Sequence, residues 1–201
     1  MPHVNGPVAV SSNGRGDGSS RSSFREHLES ARAHTGETLA KMSVEGRALV
    51  VFLRHGGCTF CREALEDLRR MRGAIERTNT RIVLVHMMED GEAGALFSRY
   101  GLGDAARISD PDRELYRAFG LQQGSVQQLL AWKVWWRAFI AGILHRHGAG
   151  RLRGDGRQMP GVFLLEKGEI VRAFRHQTAA DRPDYGEMAE CAVGGRLTRT
   201  G

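Results

Sequence analysis

Ala48-Leu49-Val50-Val51-Phe52-Leu53-Arg54-His55-Gly56-Gly57-Cys58-Thr59-Phe60-Cys61-Arg62-Glu63 is the stretch that decides the fold. Its first six residues are continuous, apolar and β-branched at the centre, the pattern of a buried strand. Arg54 to Gly57 break the run. Beyond Glu63, Leu65, Leu68 and Met71 recur at helical spacing. Cys58 and Cys61 therefore stand at a strand-to-helix junction, with Cys58 near the helix N-cap. Unpaired N–H groups and the positive end of the helix dipole stabilise a thiolate there. Such placement lowers a cysteine pKa from about 8.5 to roughly 3.5–7.5. The C-x-x-C spacing also lets the second sulfur reach back and close a disulfide within one helical turn. These residues read as a redox site.

Other readings of the pair are weaker. A zinc site needs further ligands at suitable spacing. Only Cys191 remains of the three cysteines, and there is no His-x3–5-His pair. An iron–sulfur cluster shared between two chains has no positive support. Buried, inert cysteines are the bland alternative, disfavoured by the strand–CxxC–helix context.

At 201 residues the chain fits one domain with a real core. Three cysteines argue against a disulfide-stapled secreted scaffold. Residues 1–23 are rich in Gly, Ser and Asn without an apolar signal-peptide core, and are expected to be a disordered leader. Lys133 and Arg137 interrupt the best candidate for a bilayer span, so the expected location is cytoplasmic. The net charge of +6 comes from scattered residues. No nucleic-acid-binding signature accompanies them, so no nucleic-acid partner is expected.

Along the chain, a helix is expected over 24–42 and a second buried strand over Thr80–Met87. Residues 48–87 then form a β-α-β unit, parallel by rule. Further helices are expected over 92–100 and 113–119, where Pro111 fits a first helical turn. Met159 to Arg172 holds two apolar runs flanking Glu166-Lys167-Gly168-Glu169, a β-hairpin led by Pro160. A cis Met159–Pro160 bond is expected at that start. A closing helix covers 181–192, and residues 193–201 are a flexible tail. The fold class is α/β, with a central mixed sheet flanked by helices.

The CxxC stretch, the segment Ser109-Asp110-Pro111-Asp112-Arg113-Glu114-Leu115-Tyr116 and the stretch Met159–Arg175 together resemble the peroxiredoxin-like branch of the alkyl hydroperoxide reductase/thiol-specific antioxidant family, within the thioredoxin-like superfamily. The resemblance covers roughly residues 25–190. It implies a thioredoxin-like fold over 24–192 and a thiol-dependent enzyme that reduces peroxides or protein disulfides. Matching the family's Pro-x-x-x-Thr/Ser-x-x-Cys motif to Cys61 places Cys58 at the threonine position and Arg54 at the proline position, both departures. The strand that carries the family's peroxide-binding arginine begins here with Met159-Pro160-Gly161, the thioredoxin pattern. By that pattern Cys58 attacks and Cys61 resolves; by the peroxiredoxin pattern Cys61 attacks and Cys58 resolves. Both routes end in a Cys58–Cys61 disulfide. His55, Thr59, Met159 and Pro160 are the expected substrate-binding residues, His55 as a proton carrier. No metal or organic cofactor is implied, and the electrons come from a thioredoxin- or glutathione-type reductant.

Residues 125–147 form an expected helical insert. Leu129, Trp132, Trp136, Phe139 and Ile143 make one apolar stripe. It reads first as a helix packed on the core, then as a lid, a dimer face or an interfacial membrane helix. The competing functional reading is non-catalytic: a thioredoxin-fold redox sensor that docks a partner or a membrane through this tryptophan-rich helix.

Overall fold

The computed structural model describes residues 8–9, 18–53, 59–121, 158–176 and 183–190. In chain order these form β1 (Val8–Ala9), α1 (Gly18–Ser30), α2 (Leu39–Glu45), β2 (Arg47–Phe52), α3 (Thr59–Arg77), β3 (Thr80–His86), α4 (Asp90–Arg99), β4 (Ala106–Ser109), α5 (Glu114–Ala118), β5 (Gly161–Glu166), β6 (Glu169–Arg175) and α6 (Tyr185–Glu190). The strands make one mixed sheet in the order β1-β6-β5-β2-β3-β4. β2, β3 and β4 are parallel, while β5, β6 and β1 join antiparallel.

β2 is central and buried along its whole length. That explains why its sequence is an unbroken apolar run rather than an alternating one. Alternate residues feed two cores. Leu49, Val51, Ile82 and Leu84 face α3, α4 and α6, together with Leu65, Leu68, Phe97 and Met188. Ala48, Val50, Val83 and Val85 face α1, α2 and α5, together with Leu28, Met42, Tyr116 and Phe119. Burying each large apolar side chain contributes about 1.5–3 kcal/mol. On the second face Phe52 packs edge-on against Tyr116 at 4.9 Å and Phe163 at 5.6 Å between ring centres.

The β5–β6 hairpin forms as expected, with Lys167 (φ 53°) and Gly168 (φ 77°) as its turn. Two left-handed residues give the turn whose twist matches the strands, and glycine adopts that conformation without strain.

Four expectations need correction. The helix expected over 24–42 is two helices, because Gly36 turns the chain at φ +86° and the Thr38 side chain caps α2 by accepting from Lys41 N. The leader expected over 1–23 supplies β1, which pairs Val8 with Ala173 on β6, and the first turns of α1. Pro111 does not open α5; the Asp110 carboxylate does, accepting from the N–H groups of Glu114, Leu115 and Tyr116. No peptide bond among the described residues is cis, so Met159–Pro160 is trans. Trans is the lower-energy isomer by about 0.5–1 kcal/mol, and Pro160 runs directly into β5 with no intervening turn to favour the other. The insert 125–147 and the tail 193–201 lie outside the described residues.

Candidate active site

Parallel pairing makes β2, β3 and β4 end on one side of the sheet, at Phe52, His86 and Ser109. β5 starts on that side, with Gly161 opposite Phe52, and β6 finishes there, with Arg175 opposite Gly161. α3 begins at the same edge after the junction that follows Leu53. The topology thus brings Cys61, Met159 and Pro160 to one end of the sheet. His55 and Cys58 lie outside the described residues, and Thr59 is placed by its backbone as the first residue of α3.

Cys61 sits in the first turn of α3 and is 5 % exposed. It shares a buried cluster with Leu53, Leu65 and Leu68. Met159 and Pro160 are half-buried. Their position is set on both sides. The buried Gln158 amide donates to Leu121 O at 3.0 Å, and His176 N donates to Pro160 O at 3.4 Å. At Gly161 a Cβ would fall 2.7 Å from Leu121 Cδ2 and 2.9 Å from Phe163 Cε2, so a larger residue where the chain enters β5 must displace those side chains.

The most enclosed polar side chain at this edge is Tyr116, which is fully buried. Its hydroxyl donates to the Leu53 carbonyl and lies 3.3 Å from the Val85 carbonyl. Burial first, and then the negative charge available to Cys61 and Asp110, push the phenol well above its ordinary pKa. It is therefore a neutral hydrogen-bond donor. Asp110 fixes where the phenol points, because its N–H donates to His86 O at 2.7 Å while its carboxylate holds the start of α5. Burial raises the Asp110 pKa, against the pull of those three N–H groups.

His86 closes β3 and is 1 % exposed, edge-on to Phe97 at 5.6 Å. Its Nδ1 lies 3.2 Å from Met88 O, which identifies Nδ1 as the protonated nitrogen of the neutral ring. Nε2 is buried without a hydrogen bond, 3.9 Å from Asp90 Oδ1. Burial outweighs the attraction of Asp90 and lowers the imidazole to about 4.

Sequence reasoning passes over Tyr116 and His86 as parts of this edge. Tyr116 lies within the segment that carries the family resemblance, and His86 is a polar residue ending an apolar strand. Those two signals mark the residues without giving their roles. Among the described residues no cluster of three or more His, Cys, Asp or Glu side chains is arranged to hold a metal. No helix among them is long and apolar enough to cross a membrane.

A family model described as AhpC/TSA antioxidant enzyme matches residues 67–178, more than half of the chain. The chain belongs to this family. Bovine peroxiredoxin-like 2C is 23% identical over 146 residues, which cover 66% of this chain and 61% of that protein. Its human counterpart is 30% identical over 81 residues, covering 40% of this chain and 35% of that protein. The chain thus spans less than two thirds of the length of these curated relatives. Among solved structures, peroxiredoxin Q of Xanthomonas campestris superposes with a TM-score of 0.52 at 16% identity, covering 75% of this chain and 81% of that one. Xylella fastidiosa PrxQ gives 0.53 at 14% identity and 93% coverage of both chains. Peroxiredoxin 6 of Arenicola marina gives 0.55 at 9% identity, covering 79% of this chain and 66% of that one. The AhpC/TSA member described here therefore has the peroxiredoxin, thioredoxin-like fold.

Proposed function

We propose that this AhpC/TSA family member is a thiol-dependent peroxidase whose Cys58 and Cys61 cycle between dithiol and disulfide. The observation that carries the reading is Cys61, held in the first turn of α3 at the edge where three parallel strands end and β5 begins. One thiolate attacks the O–O bond of a peroxide, becoming a sulfenic acid while an alcohol or water leaves. The second thiol displaces water from the sulfenic sulfur and closes the disulfide. A thioredoxin- or glutathione-type thiol then returns two electrons and two protons. His55, Thr59, Met159 and Pro160 are the substrate-binding residues of this reading, His55 as a proton carrier, and the cytoplasm supplies the reducing environment. Residues 24–192 act as one domain with its helical insert at 125–147, extended by β1 and the first turns of α1.

Met159-Pro160-Gly161 at the start of β5 favours a second substrate class, protein disulfides. There the half-buried Met159–Pro160 backbone receives an extended chain, and the attacking thiolate forms a mixed disulfide before the second sulfur resolves it.

Stopped-flow oxidation of the reduced protein by hydrogen peroxide, an alkyl hydroperoxide and a disulfide tests both readings, alongside Cys58→Ser and Cys61→Ser. Peroxide consumption that survives only in Cys58→Ser assigns the attack to Cys61. Disulfide attack that survives only in Cys61→Ser assigns it to Cys58. Oxidation of the unsubstituted protein no faster than that of a free thiol would remove the proposal.

A further inference from the structure

Three groups at this edge are buried without an obvious need for a polar atom: the Tyr116 hydroxyl, the His86 imidazole and the Asp110 carboxylate. Asp110 is accounted for by the three α5 N–H groups. His86 is engaged by α4, edge-on to Phe97 and 3.9 Å from Asp90. Tyr116 differs, because its hydrogen bond ends on Leu53, the last residue before the junction that carries the cysteine pair.

We propose that Tyr116 is a positioning residue for the cysteine pair: its hydroxyl holds the Leu53 carbonyl, and with it the exit of β2, in the state that lets Cys61 ionise. This role rests on the proposed function for the use of that thiolate, though not for its existence.

The Leu53 carbonyl is where the effect originates. Leu53 and Cys61 belong to one buried cluster. A carbonyl oxygen left bare in a low-dielectric surrounding opposes the formation of a nearby anion. A neutral phenol proton on the same oxygen cancels much of that field. Phenylalanine would fill the same space, edge-on to Phe52, and leave the oxygen uncovered. Tyr116 is aimed by its own helix. Tyr116 N donates to Asp110 at 3.1 Å, and Asp110 N is tied to the end of β3. The hydroxyl is therefore delivered to the strand ends by a chain of hydrogen bonds rather than by a loop.

The other titratable or charged groups facing this edge are Asp110 from the β4–α5 connection, His86 and Asp90 from β3 and α4, Arg175 at the end of β6, His176 just after it, and Glu63 two residues along α3; the Arg175 guanidinium is engaged by the Phe119 carbonyl at 3.2 and 3.3 Å. Of these, Asp110 is engaged with backbone N–H groups, Asp90 pairs with Arg107 at 2.9 Å, and His86 is neutral. Among the described residues, Tyr116 is the side chain that donates to the Leu53 carbonyl.

The test uses the full chain with Cys58→Ser and Cys191→Ser, so that Cys61 is the remaining thiol of three. Thiolate absorbance is titrated against pH with Tyr116 intact, with Tyr116→Phe, and with fluorotyrosine at 116. Fluorotyrosine keeps the packing and strengthens the donor. We expect Tyr116→Phe to hold roughly tenfold less Cys61 thiolate at a pH below its midpoint, and fluorotyrosine to hold more than tyrosine. Loss of stability alone moves no titration. Midpoints that coincide across the three proteins, or a lower midpoint in Tyr116→Phe, overturn the proposal. If Tyr116→Phe does not fold, the fluorotyrosine protein decides: an unmoved midpoint overturns the inference. A protein that shows the shift but consumes no peroxide would refute the proposed function while leaving this role for Tyr116 standing.

Discussion

The two ends of the sheet handle polar groups in opposite ways. Where β2, β3 and β4 finish, Tyr116, His86 and Asp110 are buried, and burial moves each toward its neutral form. Where those strands begin, Arg47 is buried against the Thr78 carbonyl, but a network of charges is kept and paired at the surface. Arg72 on α3 donates to Asp104 at 2.6 and 2.7 Å and to Glu76 at 2.7 Å, and its guanidinium holds Asp104 down to about 2. The first end directs its buried polar atoms at backbone carbonyls and N–H groups; at the second, the Arg72, Glu76 and Asp104 side chains are directed at one another in water. A neutral, dry edge is where a thiolate feels each neighbouring dipole most strongly. A solvated edge screens its charges and contributes little beyond solubility.

Acid is the sharpest probe of this contrast. The His86 pKa is about 4 in the folded chain and 6.5 in the unfolded one, so the unfolded state binds the extra proton between those values. Stability from this group is full above pH 6.5 and is lost as pH falls toward 4, by up to about 3 kcal/mol. Urea titrations from about pH 4 to 7 should show that slope, and His86→Gln should flatten it. An unchanged slope would place the proton uptake elsewhere.

Asp110→Ala comes next. It strips three N–H groups of α5 of their acceptor and should cost about 2 kcal/mol by chemical denaturation. Because α5 carries Tyr116, thiol reactivity should fall along with stability. A destabilised protein of unaltered reactivity would separate the cap from the site.

The smallest effect belongs to the other end. Asp104→Asn should cost less than about 1 kcal/mol at low salt and nothing measurable at high salt. A larger, salt-independent loss would show that the surface pairs are structural after all.

Much of the molecule is legible in the amino-acid sequence alone. β2, β3 and the hairpin are long apolar runs whose length and turn chemistry admit one reading, and the position of Cys61 follows from the junction between a strand and a helix. The break at Gly36 and Thr38 is harder to see, because the charges of 24–42 suggest one helix, although a Gly closely followed by a capping Thr marks a helix boundary. β1 is two residues long and exists only by pairing with β6, so no local pattern announces it. Tyr116 and His86 are non-local in a stronger sense. Their roles depend on which strands are neighbours, and Leu53, Val85 and Tyr116 are brought together only by the sheet order. His55, Cys58 and the tryptophan-rich helix stay with the proposal.

The turn of the β5–β6 hairpin ties the late part of the chain to the early part. Lys167 N donates to Ser43 O at 2.7 Å and Gly168 N to Ser43 Oγ at 3.2 Å, while β5 lies directly against β2. The late hairpin is thus the fastener of the early strand. Until it has left the ribosome, β2 offers an apolar, unpaired edge to any passing chain. A truncation anywhere before the hairpin should therefore leave β2 uncovered and yield a sticky fragment rather than a smaller working domain.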